Sequence, residues 1–156
     1  MMKSHEQWLE EAIRIADKNA KDGGGPFAAI IVRDHEIVSQ GVNEDHIHMD
    51  PTAHAELSAI RKACIALQST DLSDCIMYAS GEPCPMCMGA IYWARLKAIY
   101  YACSKEEAAE AVHFPNPLHN FFEEMNQMPE DRTIPVYKLD VPDRLDPFHS
   151  WKNQTK

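Results

Sequence analysis

Two short motifs contain side chains that could hold a zinc ion and move protons beside it. Residues 54–56 read His-Ala-Glu, and residues 83–87 read Pro-Cys-Pro-Met-Cys. One histidine and two cysteines provide three zinc ligands, which leaves one position of a tetrahedral ion open for a water molecule. Zinc lowers the pKa of such a water to about 7, and a neighbouring carboxylate can transfer its protons. The two motifs together predict a catalytic zinc site.

The spacing within each motif assigns the individual roles. Cys84 and Cys87 are three positions apart, so both lie on one side of a helical turn. His54 and Glu56 are two positions apart and would not share a helix face, which favours His54 as the third ligand and Glu56 as the unligated carboxylate. A helical pattern follows each motif, and the partial positive charge at a helix N-terminus favours a thiolate.

A Cys-x-x-Cys pair has two other interpretations, a redox pair or half of a structural zinc site. A structural site of the common type would need a second such pair, and the sequence has none. A redox pair would require neither His54 nor Glu56. The sequence therefore predicts Zn²⁺ as a catalytic cofactor, with a structural-zinc interaction domain as the non-enzymatic alternative.

Length and cysteine usage limit the class of protein. The 156 residues predict a single domain over 1–156. Besides the motif pair, Cys64, Cys75 and Cys103 lie in apolar patterns, which is typical of reduced thiols in the cytoplasm. The N-terminus lacks the apolar segment of a secretory signal, and no apolar run reaches the roughly 18 residues of a membrane span. We therefore expect a cytoplasmic protein without membrane association.

The charge of the chain bears on its partner. The formal net charge is −9, and the 15 lysines and arginines are scattered along the sequence. Nucleic-acid-binding proteins usually present a basic face or stripe. The composition therefore favours a small-molecule substrate over a nucleic acid.

Hydrophobic periodicity predicts an α/β fold. The expected order is a helix over 6–21, a hairpin of strands 27–32 and 36–42, a helix from 55, a strand over 75–79, a helix over 86–95 and a strand over 98–102. This order predicts a sheet between helices with at least one parallel crossover. Further on, the pattern predicts helices over 105–112 and 118–128, a strand over 134–139, and a helix or turn over 142–152. The glycines at 23–25 are expected to form a turn.

The motifs and their flanks resemble the cytidine deaminase superfamily and, within it, the bacterial guanine deaminase branch. A His-x-Glu motif followed by Pro-Cys-x-x-Cys is the signature of the zinc deaminases. The similar stretches are residues 24–27, 50–56, 82–95, 108–111, 132–135 and 147–148. The resemblance covers most of the chain, and the segment 83–87 is its most specific part.

This resemblance implies a three-layer α/β/α sandwich with a mixed five-stranded sheet. It also implies a homodimer in which residues 143–156 are exchanged and help to close the partner's site. The positions that match substrate-binding residues are Asn43, Phe27, Ala55, Trp93 and Asn116. From the pattern alone, Asn43 would be a turn residue, and the two aromatic residues would belong to the core.

The activity implied is hydrolytic deamination of guanine to xanthine and ammonia. Guanine enzymes of this branch carry an acid after the segment matching 108–111, and residues 112–116 contain none. We expect Glu110 or Asn116 to contact the substrate there, and His113 and His119 to be exposed loop residues. The alternatives are deamination of guanosine, a pterin, a triazine, cytosine or cytidine and, against the charge of the chain, of adenosine in transfer RNA.

Overall fold

The computed structural model describes residues 1–113 and 115–155, so Phe114 and Lys156 lie outside the described residues. The chain divides into two compact units, Met1–Leu118 and a second unit from His119 onward. The helices of the first unit are α1 (His5–Lys21), α2 (Asp45–His48), α3 (Ala55–Leu67), α4 (Pro85–Ala94) and α5 (Lys105–Ala111). Its strands are β1 (Ala28–Arg33), β2 (Glu36–Val42), β3 (Ile76–Gly81) and β4 (Ala98–Cys103). The second unit contains α6 (Phe121–Glu124), a 3₁₀ turn (Pro129–Asp131) and α7 (Asp146–Gln154).

The four strands form one mixed sheet in the order β2-β1-β3-β4. β1 is antiparallel to both β2 and β3, whereas β3 and β4 run parallel and are connected through α4. The predicted hairpin turns at Asp34 and His35, whose φ angles of 50° and 64° suit a tight two-residue turn. The predicted α/β fold with a parallel crossover is confirmed.

The sheet lies between two helix layers. On one face, Ile30 and Val32 of β1 pack with Trp8 of α1. On the other face, Ala29 and Ile31 belong to a buried cluster that includes residues of α3 and α4. Alternate residues of one strand thus contact opposite layers, and the predicted three-layer α/β/α arrangement is confirmed.

The expected fifth strand is not formed in the described residues. Residues 134–139 alternate in hydrophobicity but have no strand partner, and the Val136 N–H donates instead to the Pro129 carbonyl at 3.0 Å. Pro135 has no N–H to give to a ladder. The helix expected over 118–128 is also shorter, because only α6 forms there. None of the described helices is long and apolar enough to cross a membrane.

A close backbone approach places α3 against β2. A Cβ added to Gly41 would overlap the Ala55 carbonyl oxygen and lie 2.6 Å from the Ala59 nitrogen. Beside it, the buried Ser39 hydroxyl donates to the Ala59 carbonyl at 2.7 Å. The missing side chain at Gly41 therefore allows the N-terminal turns of α3 to lie directly on the sheet.

We predict that Gly41→Ala destabilises the protein by about 1–3 kcal/mol, because the new methyl group overlaps backbone atoms that cannot move independently. Gly89 of α4 is the matched control, since a Cβ there would meet nothing within 4 Å. Gly89→Ala should stabilise the helix by about 0.5–1 kcal/mol. Urea unfolding of both variants measures the difference, and equal midpoints would contradict the close approach.

Candidate active site

The three predicted zinc ligands form one cluster. The Cys84 and Cys87 Sγ atoms lie 3.7 and 3.6 Å from His54 Nδ1. Ligand atoms bound to one tetrahedral zinc, with Zn–N of about 2.0–2.1 Å and Zn–S of about 2.3 Å, are separated by roughly 3.6 Å. All three ligand atoms lie within 4.8 Å of one another. Both the donor set and its spacing therefore fit a zinc ion.

The N-termini of two helices present these ligands. His54 is the N-cap residue of α3, and Cys84 is the N-cap residue of α4, which has Pro85 in its first turn. The His54 side chain makes no capping hydrogen bond to its own helix, so the imidazole remains available to a metal. Cys87 lies buried in the first turn of α4.

A residue that the sequence did not single out holds the loop before His54. One carboxylate oxygen of Asp50 accepts hydrogen bonds from the Thr52 N–H at 2.8 Å and the Thr52 hydroxyl at 2.7 Å. These bonds lower the pKa of Asp50, the side-chain bond having the larger effect. An Asp two residues before a Thr in a loop is a common turn signal, and it could have identified Asp50.

The pKa values of the two thiols of the cluster are shifted in opposite directions. Interaction with the Cys87 side chain lowers the pKa of Cys84 to about 4, and the same interaction raises the pKa of Cys87. The hydrogen bond to Cys84 also raises the pKa of His54. A metal must therefore displace a proton from Cys87 before both sulfurs can bind it.

Glu56 lies beside the cluster. Its side chain is only 6% exposed, and Glu56 Oε2 accepts a hydrogen bond from the Cys87 thiol at 3.4 Å. Burial raises the pKa of Glu56, as expected for a carboxyl group removed from water. A buried carboxyl group with a raised pKa is suited to taking up and releasing protons.

Asn43 and Phe27 border the ends of the strands that precede the cluster. The Asn43 N–H donates to the Phe27 carbonyl at 3.1 Å, and the Phe27 ring lies so close to Gly81 that a Cβ there would approach it to 2.9 Å. Phe27 also packs against the buried cluster that contains Ala55. The Asn43 amide oxygen is buried and has no hydrogen-bond partner in the described part of the chain.

Trp93 and Asn116, which were also predicted to bind the substrate, are both exposed. Trp93 is 88% exposed, so a core position for it is wrong. Its side chain borders an open surface hollow together with Tyr92 and Arg95. Asn116 is exposed, and its amide oxygen accepts the Leu118 N–H at 3.0 Å in a local turn. His113 is exposed, as expected.

Glu110 and His119 are also exposed, and His119 belongs to the second unit. Ala55, by contrast, is fully buried as the first residue of α3. The N–H groups in the first turn of a helix have no partner within that helix. The backbone N–H of Ala55 is therefore a donor of the kind that a substrate oxygen could use.

Comparison with known proteins identifies the family. The model of the zinc-binding region of cytidine and deoxycytidylate deaminases matches residues 2–103. The chain belongs to this deaminase family. It is 47% identical to guanine deaminase of Bacillus subtilis, over 96% of this chain and 95% of that protein. It is also 40% identical to a tRNA-specific adenosine deaminase of Aquifex aeolicus, over 72% of this chain and 75% of the relative.

Solved structures of deaminases agree with this assignment. The X-ray structure of guanine deaminase from Bacillus subtilis matches with a TM-score of 0.89, over 97% of this chain and 95% of that one. A guanine deaminase from Nitrosomonas europaea matches with a TM-score of 0.66 at 25% identity, over 79% of this chain and 73% of that one. The family resemblance predicted from the motifs is confirmed.

We predict that zinc binding weakens as the pH falls, because protons compete for a cluster in which the pKa of Cys87 and the pKa of His54 are both raised. Cys84→Ala should lose zinc and lower the Tm together. The matched control is Cys103→Ala, a half-buried thiol outside the cluster. Competition with a chromogenic chelator at several pH values measures the affinity. Affinity independent of pH, or full zinc content in Cys84→Ala, would contradict the assignment.

Proposed function

We propose that this protein is a zinc-dependent guanine deaminase that hydrolyses guanine to xanthine and ammonia. The observation that carries the proposal is the buried Glu56 carboxyl group beside a cluster that, among the described residues, contains three zinc ligands. A structural zinc site closes with four protein ligands, whereas a catalytic site keeps one position open. The 47% identity to a guanine deaminase over nearly the whole chain supports guanine as the substrate.

The cluster and Glu56 divide the reaction between them. His54, Cys84 and Cys87 would hold a zinc ion, which would supply the activation of a water molecule at neutral pH. Glu56 accepts a proton as water attacks the carbon that carries the amino group, and it passes this proton to the adjacent ring nitrogen. It then accepts the second proton of the water from the new hydroxyl group and delivers it to the departing amine. A C–O bond forms, the C–N bond breaks, and ammonia leaves. The raised pKa of Glu56 suits a carboxyl group that must both accept and donate a proton.

Three groups near the strand ends orient the substrate in this proposal. The unpartnered Asn43 amide oxygen accepts an N–H of the purine ring, which relieves the cost of a buried polar atom. The Ala55 N–H donates to a substrate oxygen, and the Phe27 ring forms a wall of the pocket. We assign Asn116 to the edge of guanine that carries the 2-amino group, with its amide oxygen turned from the Leu118 N–H toward the substrate.

The second unit supports a homodimer with exchanged C-terminal segments. None of its described residues is buried, and Phe148 and Trp151 of α7 are each 67% exposed. A segment that buries no side chain does not fold alone, so we propose that residues 143–156 pack on a second copy and close its site. The exposed Trp93 then contacts the partner subunit.

All five cysteines are free thiols, which supports a cytoplasmic location.

Another amino-heterocycle is the first alternative substrate. Transfer RNA is a further one, because a tRNA-specific adenosine deaminase is also similar to this chain. The net charge of −9 opposes it, since phosphate contacts need clustered cations. Ammonia release from guanine, guanosine, cytosine, cytidine, adenine and a pterin tests the substrate directly. Guanine should be turned over best, and an inert guanine with another active compound would overturn the proposal. Binding of transfer RNA that weakens steeply with salt would favour the alternative.

We predict that Glu56→Gln lowers kcat for guanine by about 10²–10⁴-fold while zinc remains bound, since the amide keeps the shape but cannot transfer protons. Glu110→Gln makes the same change on exposed α5 and measures whether that acid contributes. Metal analysis and steady-state kinetics on both variants provide the readout. If zinc content falls in proportion to activity in Glu56→Gln, Glu56 is a ligand and not the proton carrier.

We predict that deletion of residues 146–156 leaves zinc bound and impairs turnover, because the partner's site can no longer exclude water. The double substitution Phe148→Ser and Trp151→Ser should weaken the dimer with the rest of the chain intact. Sedimentation velocity and kinetics measure the two effects. Full activity of the deletion would contradict the role in closure, and a monomeric parent at micromolar concentration would contradict the exchange.

A further inference from the structure

One amide in the last turn of α1 ties together the two loops that lead to the proposed substrate site. Asn19 Nδ2 donates to the Gly25 carbonyl at 2.8 Å and to the Asn43 carbonyl at 2.9 Å. A side-chain amide has two N–H donors, so this group uses its full donor capacity on backbone. Asn19 is half-buried and belongs to a helix that packs on the opposite sheet face from α3 and α4.

Backbone hydrogen bonds also connect Asn43 with the loop that contains Gly25 and Phe27. The Gly25 N–H donates to the Asn43 carbonyl at 3.1 Å. That carbonyl therefore accepts one bond from the chain and a second from Asn19. The Asn43 N–H donates to Phe27, and the Phe27 N–H donates to the Gly25 carbonyl at 2.9 Å. Both carbonyls that Asn19 contacts thus belong to one hydrogen-bonded set that holds Asn43.

Two consecutive glycines make this arrangement sterically possible. A Cβ on Gly24 would overlap Asn19 Nδ2 and lie 2.8 Å from Asn19 Cγ. A Cβ on Gly25 would overlap Asn43 Nδ2 and lie 3.0 Å from Asn43 Cγ. Gly24 therefore makes room for the Asn19 amide, and Gly25 makes room for the Asn43 amide. These glycines therefore follow the end of α1 and also leave the space that the two amide side chains occupy.

We infer that Asn19 is a positioning residue for substrate recognition: it fixes the backbone of Asn43 so that the buried Asn43 amide oxygen faces the substrate ring. The inference rests on the proposed function, in which that oxygen accepts an N–H of the substrate. The oxygen has no partner in the described part of the chain, so its orientation depends on the backbone that Asn19 holds. Asn19 itself contacts neither the substrate nor the metal ligands in this assignment.

The test is a double-mutant cycle between Asn19 and Asn43. Asn19→Asp preserves shape but replaces both N–H donors with oxygen, which repels the two carbonyls. It should lower kcat/KM for guanine by about 10–100-fold, mainly through KM, with zinc content unchanged. In an Asn43→Ala background the same substitution should change kcat/KM by less than about twofold, because the group that Asn19 positions is gone.

Two further variants control for damage to the fold. In Gly24→Ala the new Cβ would overlap the Asn19 amide, so this variant should show the same loss as Asn19→Asp. It takes the place of Asn19→Asp in the test if Asn19→Asp does not fold. Asn126→Asp removes an exposed amide that donates to the Phe122 carbonyl at 3.2 Å and should leave kcat/KM unchanged. Thermal melting sets an assay temperature at which every variant is folded.

The outcomes separate this inference from the proposed function. A parent enzyme that does not deaminate guanine overturns the proposed function before any variant is compared. A parent that is active, with Asn19→Asp at full kcat/KM, overturns the positioning role. A loss of equal size in the parent and Asn43→Ala backgrounds also overturns it, because it would reflect general damage and not the placement of Asn43.

Discussion

Two thiols and an imidazole lie so close together that they cannot all adopt their metal-binding protonation states without a cation. The contact between the two thiols lowers the pKa of Cys84 and raises the pKa of Cys87. A divalent ion removes this conflict because it supplies charge at the point that all three groups face. The fold must hold the three groups at that point.

The three groups are held together by the way in which α3 and α4 pack on the sheet. α3 and α4 begin at His54 and Cys84, and both contribute to the same buried cluster on one sheet face. α4 also connects the parallel strands β3 and β4, so its start is fixed by the end of β3. Glu56 shares the first turn of α3 with the ligand before it, and any shift of that helix would move proton carrier and ligand together.

The zinc cluster and the main elements were predictable because they depend on short-range patterns. The ligands sit at helix starts that Pro85 and the flanking periodicity mark, and the β1–β2 hairpin follows from strand patterns separated by a polar turn. The strand expected over 134–139 was not correct, because alternation predicts an apolar face but not a partner edge. The contact between Asn19 and Asn43 spans 24 positions, and no local pattern reports it. Trp93 shows the same limit, since an apolar helix pattern does not distinguish a core position from an exposed one.

The contact of α3 with β2 at Gly41 has a consequence for how such a protein can acquire a new substrate. No side chain separates the two backbones there, so α3, which contains Glu56, can move little relative to β2. Asn116, in contrast, lies in an exposed turn outside the helices and strands, where backbone changes cost less. In the proposed function, the choice of substrate is thus separated from the transfer of protons, and laboratory selection for a different amino-heterocycle would begin in that turn and leave the zinc frame intact.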